Sequence, residues 1–344
     1  MTRSDLPSEN GGRHGGDVVL QVIDLRMYLH TRWGVTKAVD GVTFDLHAGE
    51  TLGIVGESGC GKSMLALSLV RLTPEPASRF EGGQVLLDGD DLVALTDKKM
   101  RRIRGKKISM ILQDPQQSLN PVFTIGNQLE EAIRIHGGAD SKEETKQRAK
   151  AALQEVHVPE PERRLKNYPH EMSGGMKQRV VGAMAMVYKP TVLIADEPTT
   201  ALDVTIQAQY LRLLRDLQRR TGVAMIVISH DFGVIAETCD RVAVMYAGKF
   251  VEQGPVADVF DNPSHPYTKG LLDSHPRYVG TARRLRSIEG APPELTNLPP
   301  GCRFSPRCGL AGPECHESEP EPRQVSADHV TWCFKSEELP WASH

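Results

Sequence analysis

No stretch of this chain is apolar for long enough to cross a membrane. The longest runs, such as Val180–Tyr188, fall well short of the ~20 residues a spanning helix needs. No apolar segment follows Met1-Thr2-Arg3-Ser4, so no secretory leader is expected. Charge of one sign is also missing. With 41 Lys and Arg against 44 Asp and Glu the net charge is −3, and no basic field points to nucleic acid. There is no internal repeat, and the six cysteines contain no C-x2–4-C pair, which argues mildly against a standard zinc site. What remains is a chain of 344 residues, long enough to bury a large core and too long for one small domain.

The most informative segment is Gly56-Glu57-Ser58-Gly59-Cys60-Gly61-Lys62-Ser63, a phosphate loop of pattern G-x-x-x-x-G-K-[ST]. Thr51–Val55 before it is a short apolar run, expected to be a buried parallel strand. Ser63–Val70 after it is expected to be a helix. Glycines at 56, 59 and 61 allow a tight turn whose N–H groups cradle phosphate oxygens at the positive helix end. Lys62 would reach the β- and γ-phosphates and Ser63 would ligate magnesium.

A second apolar run, Thr191–Ala195, delivers Asp196 and Glu197 to the strand end where open α/β sheets place their ligands. Asp196 would complete the magnesium shell, and Glu197 would orient or deprotonate the attacking water. A third run, Ala224–Ser229, ends at His230, within reach of a γ-phosphate. Between these, Ser173-Gly174-Gly175 opens an apolar helix through Val180–Val187. Ser173 can cap it, and the glycines let backbone approach a phosphate.

Taken in order, these motifs resemble the nucleotide-binding subunit of an ATP-binding-cassette (ABC) transporter over about residues 19–258. Gly56–Ser63 resembles Walker A, with Met64 next to it, and Gln113 the Q-loop. Ser173–Gln178 resembles the signature, Val192–Glu197 Walker B, Ala201-Leu202-Asp203 the D-loop and His230 the switch histidine. Met172 replaces the usual Leu before the signature, a volume-conserving swap. The resemblance implies an α/β P-loop NTPase (RecA-like) core with a parallel sheet, an inserted helical subdomain and a Pro/Cys-rich C-terminal extension. Its implied nucleotide contacts are Gly56, Ser58, Gly59, Cys60, Gly61, Lys62, Ser63, Met64, Gln113, Ser173, Gly174, Gly175, Gln178 and Asp203. Magnesium would take Ser63, Gln113 and Asp196. Catalysis would rest on Glu197, His230 and Lys62. An aromatic stacks on adenine in this family; Trp33 is the expected one and Tyr28 its competitor.

Gln113-Asp114-Pro115-Gln116-Gln117-Ser118-Leu119-Asn120-Pro121, Tyr168–Glu171, Cys239–Gly248 and His265-Pro266-Tyr267-Thr268 narrow the resemblance to the dipeptide/oligopeptide (and nickel) importer subfamily. That implies two membrane permease subunits, a second and different ATP-binding subunit, an extracytoplasmic substrate-binding protein, and a peripheral place on the cytoplasmic membrane face. A nickel or other small-solute importer is the alternative. A soluble ABC ATPase acting on nucleic acid or ribosomes is a weaker one, since such proteins usually carry two cassettes.

Residues 1–17 are expected to be a disordered leader, 18–258 the cassette with its helical subdomain at about 115–188, and 259–344 the extension. Val18–Leu46 alternates like strands at the sheet edge. Ser141 would cap a helix. Val204–Arg220 would be another, with Ile206, Leu211, Leu214 and Leu217 on its core face. Prolines 292, 293, 299, 300, 306 and 313 suggest little regular structure in the tail.

Cys302, Cys308, Cys315 and Cys333 follow C-x5-C-x6-C-x17-C. In this subfamily such a quartet resembles a [4Fe-4S] site; zinc and free buried thiols are the alternatives. A site there would pin a tail too poor in apolar residues to fold alone. Cys60, beside Lys62 and a helix N-terminus, is expected to favour the thiolate. Cys239 is expected to be a core thiol.

Overall fold

A computed structural model describes residues 16–114, 118–137, 141–200, 202–274 and 287–341. Most of the leader, Pro115–Gln117 of the Gln113–Pro121 motif, and Ala201 of the D-loop therefore lie outside the described residues.

Among the described residues, twelve strands form two sheets. β1 (Val18–Thr31), β2 (Gly34–His47), β4 (Ser78–Leu87) and β5 (Asp90–Asp91) make an antiparallel sheet in the order β2-β1-β4-β5. The larger sheet also contains β3 (Thr51–Val55), β6 (Ile108–Ile111), β7 (Val192–Asp196), β8 (Ala224–Ile228), β9 (Arg241–Tyr246) and β10 (Lys249–Pro255). β11 (Arg323–Ser326) and β12 (His329–Thr331) extend it, giving the order β11-β12-β10-β9-β3-β8-β7-β6. The five strands from β9 to β6 are parallel; β10, β12 and β11 are antiparallel.

Both faces of the parallel part are covered, which is why its strands read as unbroken apolar runs. Leu52 and Ile54, Val192 and Ile194, and Ile226 and Ile228 face the antiparallel sheet. Val55, Leu193, Met225 and Val227 face the opposite way. The helix Lys62–Leu69 is clamped between the two sheets: its Leu65 and Leu69 pack with Val22, Val42 and Phe44. Each such fully buried aliphatic side chain contributes about 1.5–3 kcal/mol. β1 and β2 thus belong to a separate sheet, a correction to their expected place at the edge of the parallel one. Strand alternation reveals which face is buried, not which sheet provides the partner.

The helices Ile125–Ile135, Lys142–Glu155 and Gly174–Met186 stand between β6 and β7 in sequence. Thr124, Ser141 and Ser173 cap them, accepting from the N–H groups of Asn127, Glu144 and Met176. Each cap is worth about 1 kcal/mol. No helix among the described residues is long and apolar enough to cross a membrane.

The proline-rich tail has more order than its composition suggests. β12 pairs with β10, and Glu252 in β10 is fully buried as a hub. Its carboxylate accepts the N–H groups of Ser264 (2.5 Å) and His265 (3.0 Å) and pairs with His329 Nε2 at 2.7 Å. Three donors satisfy one buried carboxylate, and they hold the tail to the sheet edge.

Candidate nucleotide site

Four parallel strands deliver the predicted residues to one sheet edge. β3 runs into the phosphate loop, β6 to Gln113, β7 ends at Asp196 before Glu197, and β8 leads to His230. In the loop, Gly56 and Gly61 have φ of 155° and 112°. A Cβ at either would lie 2.1 Å from the Met245 carbonyl oxygen or 2.2 Å from that of Ala38. The loop therefore needs glycine twice over, for backbone sign and for space. Lys62 is 6% exposed; its Nζ donates to the carbonyls of Gly56 (2.7 Å) and Glu57 (3.0 Å).

The loop is also held from outside. Glu57 donates its N–H to the Tyr267 hydroxyl oxygen at 2.8 Å, and its carboxylate takes a bidentate pair from Arg307 at 2.7 and 3.0 Å.

Glu197 gathers its neighbours at one carboxylate. Gln113 Nε2 donates to Oε2 at 2.9 Å, Thr200 Oγ1 donates to the same oxygen at 3.0 Å, and His230 Nδ1 lies 3.4 Å from Oε1. Glu197 has φ +45°, a left-handed conformation that costs a non-glycine residue about 1–2 kcal/mol. Its N–H nevertheless donates to the Ile228 carbonyl at 3.0 Å. Thr200 is the member that sequence reasoning missed; its only signal is a hydroxyl three residues after the acidic pair.

Ser63, Gln113, Asp114, Asp196 and Thr200 line one open cavity of about 470 Å³. Asp196 is 4% exposed, and its Oδ1 is buried without a hydrogen-bond partner. Burial raises its pKa above the usual carboxylate range, against a hydrogen bond from Ser63, and Glu197 adds repulsion. A buried carboxylate oxygen left unpaired beside a serine hydroxyl and a glutamine amide fits a hard divalent cation with oxygen ligands.

Ser173 and Gly174 are exposed, and no residue of Ser173–Gln178 lines that cavity. A Cβ at Gly174 would meet nothing closer than 4.0 Å. Gln178, grouped with the nucleotide contacts from sequence, is 1% exposed inside its helix, so its side chain does not face the open surface. Asp203 caps the helix Val204–Thr221, accepting from the Ile206 N–H. Of the apolar residues expected on that helix, Leu211, Leu214 and Leu217 are core and Ile206 is half-buried. Trp33 is 77% exposed in the β1–β2 turn with Arg32 over its ring. The Tyr28 hydroxyl is committed to Asp40 at 2.5 Å.

Cys60 departs from expectation. It is 4% exposed, and burial raises its thiol pKa in spite of Lys62, whose Nζ sits 3.7 Å from Sγ. Desolvation outweighs the nearby charge, so the thiol is favoured over the thiolate. Cys239 is a partly buried thiol packed on the core, its pKa pushed up to about 12 by burial.

Cys302, Cys308, Cys315 and Cys333 are all free thiols and line one small apolar cavity with Phe304 and Ser305. It has about 20 Å³ of space, room for one water-sized sphere. Among the described residues no group of three or more His, Cys, Asp or Glu side chains stands at metal-holding distance. The soft donor set fits a thiophilic centre in kind, while a four-iron cube needs the thiols to move outward.

Comparison with known proteins decides the family. Residues 39–200 match the ABC transporter model, and residues 251–315 the C-terminal region of oligopeptide/dipeptide transporters. The probable peptide ABC transporter ATP-binding protein y4tR of Sinorhizobium fredii is 50% identical over 94% of this chain and 96% of its own. This chain belongs to the ABC transporter ATP-binding family. The dipeptide transport ATP-binding protein DppD of Bacillus subtilis is 49% identical to this ABC ATPase over 92% of the chain and 94% of its own. Among solved structures, a dimeric post-hydrolysis state of the cassette MJ0796 bound to ADP and Pi aligns with a TM-score of 0.61. It is 27% identical and covers 69% of this chain and 98% of its own. The expected α/β P-loop ATPase fold is therefore borne out, and ATP and magnesium are the ligands that this family membership brings.

Proposed function

We propose that this ABC ATPase hydrolyses ATP to drive import of di- and oligopeptides through two separate membrane permease subunits. The observation that carries the reading is the pairing in one chain of an ATP-site cluster with a C-terminal region of oligopeptide/dipeptide-transporter type. Relatives named for peptide or dipeptide transport, and one for peptide import, match along nearly their whole length and support it.

In this reading Lys62 exchanges its two carbonyl acceptors for phosphate oxygens, gaining charge-assisted bonds. Ser63, Gln113 and Asp196 would hold magnesium, which would supply charge neutralisation for the phosphates. Glu197, aimed by Gln113 and Thr200, orients water in line with the γ-phosphorus and accepts its proton. His230 contacts the γ-phosphate, and Trp33 stacks on adenine. The signature edge of a second ATP-binding subunit, a different chain, closes the site and excludes water, and this chain's Ser173-Gly174-Gly175 does the same for its partner's site. Asp203 lies at that junction. ATP closes the pair, hydrolysis reopens it, and the helices next to Gln113 pass the movement on.

The protein then sits peripherally on the cytoplasmic membrane face, supplied by an extracytoplasmic substrate-binding protein. The chain divides into a leader, a cassette to 258 and an extension from 259. The four tail cysteines hold a [4Fe-4S] cluster, zinc being the alternative. Anaerobic purification with iron, sulfide and zinc analysis and a visible spectrum tests the cluster; an iron-free, colourless protein with full ATPase activity refutes it. Purification from the native host in mild detergent tests the assembly. Two membrane subunits and a second ATPase chain are expected, and their absence refutes it.

A further inference from the structure

The first variable residue of the phosphate loop is gripped by the C-terminal region, about 250 residues away in sequence. Arg307 is 4% exposed in its side chain. Its two terminal nitrogens both reach the Glu57 carboxylate, its Nε donates to the Glu289 carbonyl at 3.0 Å, and its guanidinium lies 5.8 Å from the Tyr246 ring centroid. Tyr267 is fully buried, packed on Tyr246 at 4.5 Å and Phe304 at 5.4 Å, and its hydroxyl oxygen accepts the Glu57 N–H. Glu57 is thus fixed by main chain and side chain together. Its own carbonyl is one of the two Lys62 acceptors, so what fixes Glu57 also fixes where Lys62 waits.

We propose that Arg307 and Tyr267 are positioning residues for nucleotide binding, which hold the phosphate loop in its anion-accepting shape through Glu57. Two physical effects combine. Bidentate pairing and the Tyr267 bond pre-order the loop, so less entropy is lost when phosphate binds. Arg307 also neutralises a carboxylate that otherwise stands as a like charge beside an incoming polyphosphate. The proposal rests on the ATP-site reading above.

The test is direct ATP binding to the full-length protein by calorimetry with magnesium chelated to stop turnover. Arg307→Gln is expected to raise the Kd about tenfold. Glu57→Gln removes the exposed charge, so the double variant is expected to return to within about threefold of wild type. A purely structural role predicts lower melting temperatures that add, with no recovery of affinity. An Arg307→Gln protein within twofold of wild type, or a double variant as weak as the single, overturns the proposal. Should Arg307→Gln not fold, Tyr267→Phe removes only the acceptor oxygen. It is expected to weaken ATP binding about threefold or more, and unchanged affinity overturns the proposal. Lys62→Ala is the control: if it keeps wild-type affinity, the ATP-site reading itself falls, whereas its failure to bind beside an unaffected Arg307→Gln sinks only the clamp.

Discussion

Replacing Glu197 by Gln separates chemistry from binding and from stability. The side chains are nearly the same size, and Gln can still accept from Gln113 Nε2 and the Thr200 hydroxyl. What it cannot do is take a proton from water. A positioned general base contributes about 100- to 10,000-fold, so kcat should fall by that factor while ATP affinity holds within about threefold. The backbone provides a second arm. Glu197 sits at φ +45°, and glycine there relieves about 1–2 kcal/mol of left-handed strain while costing about 0.5–1 kcal/mol of unfolded-state entropy. Lost side-chain bonds take back the rest, so Glu197→Gly should unfold within about 1 kcal/mol of wild type and still be inactive. Phosphate release at saturating ATP, nucleotide titration and urea unfolding provide the readouts. Wild-type turnover in Glu197→Gln refutes the base assignment; turnover lost only in step with stability refutes the separation.

Burial holds His265 neutral, with its pKa near 3 against 6.5 unperturbed. Its folded pKa is the lower one, so its contribution is complete above pH 6.5 and is lost as pH falls toward 3, at about 1.4 kcal/mol per pH unit. Urea titrations at pH 7 and 5 should show that slope reduced in His265→Asn, and an unchanged slope refutes it. Cys60 should react with iodoacetamide at pH 7 more slowly than a free cysteine, because its burial raises the thiol pKa; mass spectrometry showing faster labelling contradicts this. Gly61→Ala puts a Cβ 2.2 Å from a backbone oxygen at φ 112°, so ATP binding should be abolished rather than weakened, by calorimetry.

The chemistry was legible in the sequence because each motif is local. A phosphate loop needs its glycines and lysine within eight positions, and strand ends announce themselves by apolar runs of five. The caps at Ser141 and Ser173 were legible for the same reason: a cap and the N–H it satisfies are three residues apart. Ranking burial against charge at Cys60 was not, because the thiol's solvent access is set by β9, Met245 and the loop's own fold. The burial of Gln178 was not legible either, because the packing around its helix, not its motif position, sets it.

By itself, then, the amino-acid order determined the phosphate-loop, signature and acidic-pair motifs and the kind of element on which each sits, since those signals act over a few residues. Only the tertiary structure decided that β1 and β2 form their own sheet, that the tail completes the main one, and that Glu57 is held by Arg307 and Tyr267. Those contacts join segments up to 250 residues apart. They arise from packing and from the pairing of buried polar groups, and no local pattern encodes them.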